Sequence, residues 1–143
     1  MKLPEKIAVL GMGYVGTPLA IEFSKHFDVI GFDINRKRIE ELKAGIDSTN
    51  DLDSAELLQS GLLTYSYNED DLSTIDYFIV TVPTPVDSDN KPDFDLLIKA
   101  SELVGKYLRK EGVVIYESTV FPGATEEICV PVLEKSSGLI FNK

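Results

Sequence analysis

Three glycines and one carboxylate carry the most chemistry in this 143-residue chain. The run Lys6-Ile-Ala-Val-Leu-Gly11-Met-Gly13-Tyr14-Val15-Gly16 sets the glycines at G-x-G-x-x-G spacing. Asp33 ends the next apolar run, Val29-Ile-Gly-Phe, 22 positions beyond Gly11. In a strand–turn–helix unit the first glycine makes the tight bend and the second lets a pyrophosphate approach the backbone. The third lets the helix pack close to the strand. A helix starting there offers unpaired N–H groups and a partial positive charge to phosphates. A carboxylate at the tip of the following strand can accept hydrogen bonds from an adenosine ribose. A turn with only a packing role would not require strand, helix and acid in this order and spacing, so the pattern points to dinucleotide binding.

Other reactive side chains have plainer readings. Cys129 is the one cysteine, so no intrachain disulfide can form, in keeping with a reducing compartment. It sits in Glu126-Glu-Ile-Cys129-Val-Pro-Val-Leu133, an amphipathic helix pattern with Ile128, Cys129, Val132 and Leu133 on the inner face. The adjacent glutamates would raise a thiol pKa, which argues for a small buried hydrophobe and against a nucleophile. His26, also alone, falls at the end of the first helix and reads as a helix-end or surface residue. Asp87, Asp89 and Asp93 lack the central glycine and closing glutamate of an EF-hand, so they read as an exposed acidic loop. No cluster has metal-ligand spacing.

The elements that must position the glycines and Asp33 follow from periodicity. Strands are expected at 5–10, Asp28–Asp33, Leu63–Tyr67, Asp76–Val82 and Gly112–Tyr116. Helices are expected at Tyr14–Phe27, with Leu19, Ala20 and Phe23 inward, at Arg36–Ala44, ended by Gly45, and at Ser54–Gln59. A helical turn follows at Glu69–Ser73. The longest helix is Phe94–Arg109, with Leu97, Ala100, Leu103, Val104 and Tyr107 at helical spacing. A last helix is expected at Ala124–Lys135, and Gly138–Phe141 reads as the start of one more strand. Residues 46–61 are otherwise polar and irregular, and prolines at Pro83 and Pro85 stop sheet pairing after the fourth strand.

Alternating strands and helices give a Rossmann-type α/β fold, a doubly wound parallel sheet in one domain. Ligands of such sheets sit beyond the carboxyl ends of the strands. Gly11–Gly16, Asp33, Thr81–Pro85 and Glu117–Thr119 are those ends, and they should line one crevice. A net charge of −10 opposes non-specific binding to nucleic acid or anionic membrane. No apolar run approaches the roughly 20 residues of a membrane span, and the first residues lack a signal-peptide pattern. Cytoplasmic residence is the expectation.

The ordered motifs Gly13-Tyr-Val-Gly16, Gly31-Phe-Asp33, Arg38-Ile with Leu42 and Gly45, Thr81-Val-Pro-Thr-Pro85 and Glu117-Ser-Thr-Val-Phe-Pro-Gly123 resemble the UDP-glucose/GDP-mannose dehydrogenase family. The resemblance covers essentially the whole chain. Thr84-Pro-Val-Asp87, Asn90-Lys-Pro-Asp93, Tyr116-Glu-Ser-Thr119, Thr125-Glu-Glu-Ile-Cys-Val-Pro131 and Ser137-Gly-Leu are similar to the branch that oxidises UDP-N-acetylglucosamine or UDP-N-acetylgalactosamine for bacterial surface polysaccharides. The resemblance implies an oxidoreductase that takes a sugar primary alcohol to the carboxylate, reducing two NAD+ in turn. In the family a cysteine thiolate captures the aldehyde as a thiohemiacetal, which gives up a second hydride to form a hydrolysable thioester.

In relatives the catalytic glutamate, lysine and nucleophilic cysteine lie beyond the point where this sequence stops. Cys129 matches a helix cysteine of the branch and not that nucleophile. The resemblance therefore implies that residues 1–143 are the NAD-binding domain of a larger enzyme, without its central helix and substrate domain and inactive alone. It also implies a UDP-sugar substrate and a homodimer or larger assembly for the full-length protein.

Residue by residue, the resemblance places Asp33 and Arg38 at the adenosine ribose, which favours NAD over NADP, with Arg36 solvated. An exposed helix residue is the alternative for Arg38. Tyr14 and Val15 start the helix at the pyrophosphate, with core packing as the alternative for their side chains. Pro83 and Thr84 lie beside the second ribose, or Thr84 caps its own loop. Thr119 reaches the nicotinamide end as an auxiliary catalytic group that helps position water. Glu117 either caps the following turn or borders the substrate channel, and Ser118 has no firm role. Two other functions remain open on the sequence: the same domain of a UDP-glucose or GDP-mannose 6-dehydrogenase, and a stand-alone NAD-binding module.

Overall fold

Apolar runs that alternate with helices must be covered on both faces, and a parallel sheet does this. The computed structural model, which describes residues 5–58 and 61–143, has one such sheet. Its strands are β1 (Lys6–Leu10), β2 (Asp28–Phe32), β3 (Leu63–Ser66), β4 (Tyr77–Val80) and β5 (Val113–Tyr116). They lie in the order β3-β2-β1-β4-β5, every neighbouring pair parallel. The switch in order falls at β1, with Ile7 in register with Val29 on one side and Tyr77 on the other.

Side chains alternate across the pleat, and two cores result. Ala8, Leu10, Phe32, Phe78 and Val80 face α4 (Asp95–Tyr107), which contributes Leu97 and Val104. Ile7, Val9, Val29 and Ile79 face α1 (Gly16–Ser24) and α2 (Arg36–Lys43), which contribute Ala20, Ile39 and Leu42. A short α3 (Ser54–Leu58) and a 3-10 turn (Glu69–Thr74) complete these layers, where the sequence pattern indicates a short helix and a helical turn. The expected end of α3 at Gln59 lies outside the described residues.

The buried stripe of α1 is Gly16, Thr17, Ala20 and Ser24, whereas Leu19 and Phe23 are only half-buried. Small residues face the sheet because the helix lies too close to it for larger ones. A Cβ built on Gly16 would sit 1.8 Å from the Gly11 carbonyl oxygen. The helix also starts at Gly16, two residues later than the apolar pattern suggests, and Tyr14 and Val15 form its exposed lead-in.

The last segment corrects one expectation. Gly138–Phe141 does not begin a strand: Gly138 takes the left-handed conformation (φ 71°) and caps α5 (Val130–Ser137). The chain then folds back, with Leu139 N–H donating to Ser137 Oγ and Phe141 N–H to Glu134 Oε1. A π-turn over Thr125–Cys129 leads into α5, where Pro131 lacks the N–H that a regular helix needs. The outer strand β5 is half-buried along its length, and a cavity of about 430 Å³ runs beside it, lined in part by Val114, Tyr116, Val130, Leu133 and Ile140. Among the described residues no helix is long and apolar enough to cross a membrane.

The Gly16 contact has a measurable consequence. Gly16→Ala should destabilise the chain by about 3 kcal/mol, the upper range for overpacking against an unyielding backbone atom, and lower the midpoint of thermal unfolding by about 10 °C. Calorimetry or circular dichroism melts would check this.

Candidate functional site

The turn between β1 and α1 is held from three sides. Gly11 sits at φ 97°, and its N–H donates to the Phe32 carbonyl at 2.8 Å. The Thr81 hydroxyl, at the end of β4, lies 2.9 Å from the Leu10 carbonyl oxygen and 2.8 Å from that of Gly11, donating to this pair. Met12 is held by its side chain and by both its backbone groups. Its side chain is 1% exposed and packs over Gly31, where a Cβ would lie 2.8 Å from Met12 Sδ. Its N–H donates to Asp33 Oδ2 at 2.8 Å, and its carbonyl accepts from Arg38 Nε at 2.7 Å.

The next residues face outward. A Cβ on Gly13 would meet nothing within 4 Å. The N–H groups of Gly13, Tyr14, Val15 and Gly16 find no acceptor among the described residues. They are the unsatisfied donors of a helix start. The Tyr14 and Val15 side chains are exposed and take no part in the core.

Asp33 stands beside this turn. Its Oδ1 accepts the Asn35 N–H at 2.9 Å, and its Oδ2 the Met12 N–H. Each oxygen keeps capacity for a further donor. Asn35 in turn caps α2 by accepting from Arg38 N–H.

Arg38 is 8% exposed, which excludes the alternative of an exposed helix residue. Its guanidinium lies beneath the turn, donating to Met12 O, to Ser48 Oγ at 3.1 Å and to Thr17 Oγ1 at 3.3 Å. Nη1 also pairs with Asp47 Oδ1 at 2.8 Å. Arg36, by contrast, is exposed, paired with Glu40 and stacked over Tyr67. Burial alone would raise the Asp47 pKa. Hydrogen bonds from the Thr49 hydroxyl, Arg38 and the Thr49 and Leu52 N–H groups outweigh burial and hold the carboxyl at about 2.

Sequence reasoning gave no role to Met12, Asp47, Ser48 or Thr17. Asp47-Ser-Thr-Asn carried a usable signal, since an aspartate two residues before a threonine is the pattern of an Asx turn.

The tips of β4 and β5 are tied together. Thr84 Oγ1 donates to the Thr119 carbonyl at 2.5 Å, and Ser118 Oγ to that of Val82 at 2.6 Å. Thr84 thus fastens a loop, but across to the neighbouring tip and not within its own. The Thr119 and Glu117 side chains and Pro83 are exposed. Gly11–Gly16, Asp33, Thr81–Thr84 and Ser118–Thr119 therefore all stand at the carboxyl ends of β1, β2, β4 and β5.

The remaining candidates lie apart from this group. Asp87 Oδ1 accepts the Asp89 and Lys91 N–H groups, and Asp93 Oδ1 that of Asp95, so both shape turns. Cys129 is buried at 1% exposure. Burial pushes its thiol up, against hydrogen bonding with Ser101 and Tyr116 that works the other way. His26 is exposed just past the end of α1, edge-on to Phe27.

A parallel sheet that switches order at a glycine turn, with free N–H groups above and an acid at the next strand tip, defines a dinucleotide-binding domain. The comparisons with known proteins agree. The profile described as "UDP-glucose/GDP-mannose dehydrogenase family, NAD binding domain" matches residues 5–142, and the chain belongs to this family, with NAD as the cofactor of the domain. It is 59% identical over 138 residues to a UDP-N-acetyl-D-glucosamine 6-dehydrogenase of Pseudomonas aeruginosa, covering 96% of this chain and 33% of that protein. It is 53% identical over 137 residues to Protein CapL of Staphylococcus aureus, covering 96% and 32%. The solved UDP-D-ManNAc dehydrogenase of Pyrococcus horikoshii superimposes with a TM-score of 0.87 at 35% identity, over 96% of this chain and 34% of that one. The chain spans about a third of the length of the curated relatives it matches.

The Asp47 carboxyl predicts an acid dependence. Its folded value lies below the ordinary 3.8, so its contribution is complete above about pH 4 and is lost as pH falls toward 2. Asp47→Asn should lower stability at pH 7 by about 2 kcal/mol, and urea unfolding of the two proteins should converge by about pH 2.

Proposed function

We propose that residues 1–143 are the NAD-binding part of a longer nucleotide-sugar 6-dehydrogenase. That enzyme oxidises the primary alcohol of a UDP-N-acetylhexosamine to the uronic acid with two NAD+, for bacterial surface polysaccharide synthesis. The observation that carries the reading is the row of four N–H groups without acceptors over the open face of Gly13, with Asp33 alongside. The 59% identity to a UDP-N-acetyl-D-glucosamine 6-dehydrogenase supports the sugar class.

Bound NAD+ supplies the hydride acceptor. The N–H groups of Gly13, Tyr14, Val15 and Gly16 hold its pyrophosphate, which the missing Cβ of Gly13 lets approach. Gly11 makes the bend that aims them. The spare lone pairs of Asp33 accept the adenosine ribose hydroxyls and would repel a 2′-phosphate. Arg38 keeps one Nη2 donor for that ribose, its others being engaged.

Pro83 and Thr84 flank the second ribose. Thr84 Oγ1 directs its O–H to the Thr119 carbonyl, which leaves the oxygen's lone pairs to accept. The Thr119 hydroxyl stands at the nicotinamide end, where it positions water. The nucleophilic cysteine lies outside residues 1–143, so this chain alone binds cofactor without turnover. The whole enzyme is a cytoplasmic homodimer or larger assembly.

Calorimetric titration of the chain should show NAD+ binding at least about tenfold tighter than NADP+, with Asp33→Asn weakening NAD+ and narrowing that gap. Equal or tighter binding of NADP+ would overturn the role of Asp33. For the full-length enzyme, a panel of nucleotide sugars should give two NADH per UDP-N-acetylhexosamine. Preferred turnover of UDP-glucose would overturn the substrate class.

A further inference from the structure

The layer beneath the glycine turn contains a buried carboxylate, Asp47, that the cofactor reading leaves without a role. Asp47 accepts at every side it presents. Its Oδ1 takes the Thr49 N–H at 3.1 Å, the Thr49 hydroxyl at 2.7 Å and Arg38 Nη1 at 2.8 Å. Its Oδ2 takes the N–H groups of Asp51 and Leu52, both at 3.1 Å. The carboxylate is thus fixed to the backbone of 49–52, and the Arg38 guanidinium is fixed to the carboxylate. Ser48 Oγ adds a second anchor on the same Nη1.

Arg38 Nε then grips the Met12 carbonyl from inside at 2.7 Å. The described residues include no cis peptide, and in a trans peptide the C=O of Met12 and the N–H of Gly13 point in opposite directions. Pulling the carbonyl inward therefore aims the Gly13 N–H away from Arg38, where it meets no acceptor among the described residues.

We infer that Asp47, assisted by Ser48, is a positioning residue for cofactor binding: through Arg38 it sets the orientation of the Met12–Gly13 peptide and so aims the first pyrophosphate donor. The inference rests on the reading that the turn holds a dinucleotide pyrophosphate. It adds to the site a segment that follows α2, far in sequence from the glycine turn. Asp47 serves the glycine turn as an outer-layer carboxylate serves a ligating histidine, by holding the group that does the holding.

Two measurements on the 143-residue chain test it. In the first, NAD+ and adenosine are titrated by NMR into wild type, Asp47→Asn and Ser48→Ala. Adenosine engages Asp33 and carries no pyrophosphate. NAD+ should weaken by about tenfold in Asp47→Asn and by about threefold in Ser48→Ala, in each case by clearly more than adenosine, which loses only the aim of one Arg38 donor. Unchanged NAD+ affinity, or equal weakening of both probes, would overturn the inference.

The second reads the unliganded chain, where the Gly13 amide resonance should move in Asp47→Asn while that of Gly138, capping α5, stays in place. A Gly13 resonance that stays put overturns the inference without reference to any ligand. If Asp47→Asn does not fold, Ser48→Ala, which removes a single hydrogen bond, carries both tests. Failure of the wild-type chain to bind NAD+ at all would instead strike the cofactor reading.

Discussion

The site depends on one close approach. Because Gly16 has no Cβ, the first turn of α1 lies directly against the carbonyl of Gly11, at a distance no other residue permits. That contact fixes where the helix starts relative to the end of β1, and hence where its unpaired N–H groups stand. It also leaves room for the Thr81 hydroxyl to reach the Leu10 and Gly11 carbonyls, so that β4 braces the turn from the other side. Gly16, Ala20 and Ser24 carry the closeness along the helix. A larger side chain at the first of these would lift α1 and disperse the donors.

The frame was legible in the sequence wherever one element was enough to define it. Buried strands reveal themselves as continuous apolar runs, and β1, β2 and β4 lie within the segments so marked. The G-x-G-x-x-G spacing and Asp33 needed only the order of strand, turn, helix and strand. What stayed hidden depends on pairs brought together by the fold. Arg38 sits in a polar helix, and nothing in its neighbourhood tells that its guanidinium runs inward to Met12. Asp47 lies in a polar stretch that composition marks only as irregular. Thr84 and Thr119 are 35 positions apart, and their bridge exists only because β4 and β5 are neighbours. The misread strand at Gly138–Phe141 shows the reverse failure. Its apolar composition suits a strand, but a left-handed glycine and the Ser137 and Glu134 acceptors turn the backbone away from the sheet.

Charge on this molecule works locally. The chain carries −10 overall, yet what the glycine turn presents, among the described residues, is a group of unpaired backbone N–H donors. Arg38 is buried and engages four of its five N–H donors on the scaffold, its charge paired with Asp47 below the turn.

The half-buried β5 bears on how the chain behaves in quantity. An outermost strand leaves a row of ladder donors and acceptors unmet, and such a row can template pairing with another extended segment. Here the neighbouring cavity adds apolar lining, while Ile140 and Phe141 stand exposed at its margin. Arg109, Lys110 and Glu111 place charge just before the strand, with Arg109 paired to Asp76. Charges added along β5 therefore offer a route to limit such pairing without touching the glycine turn.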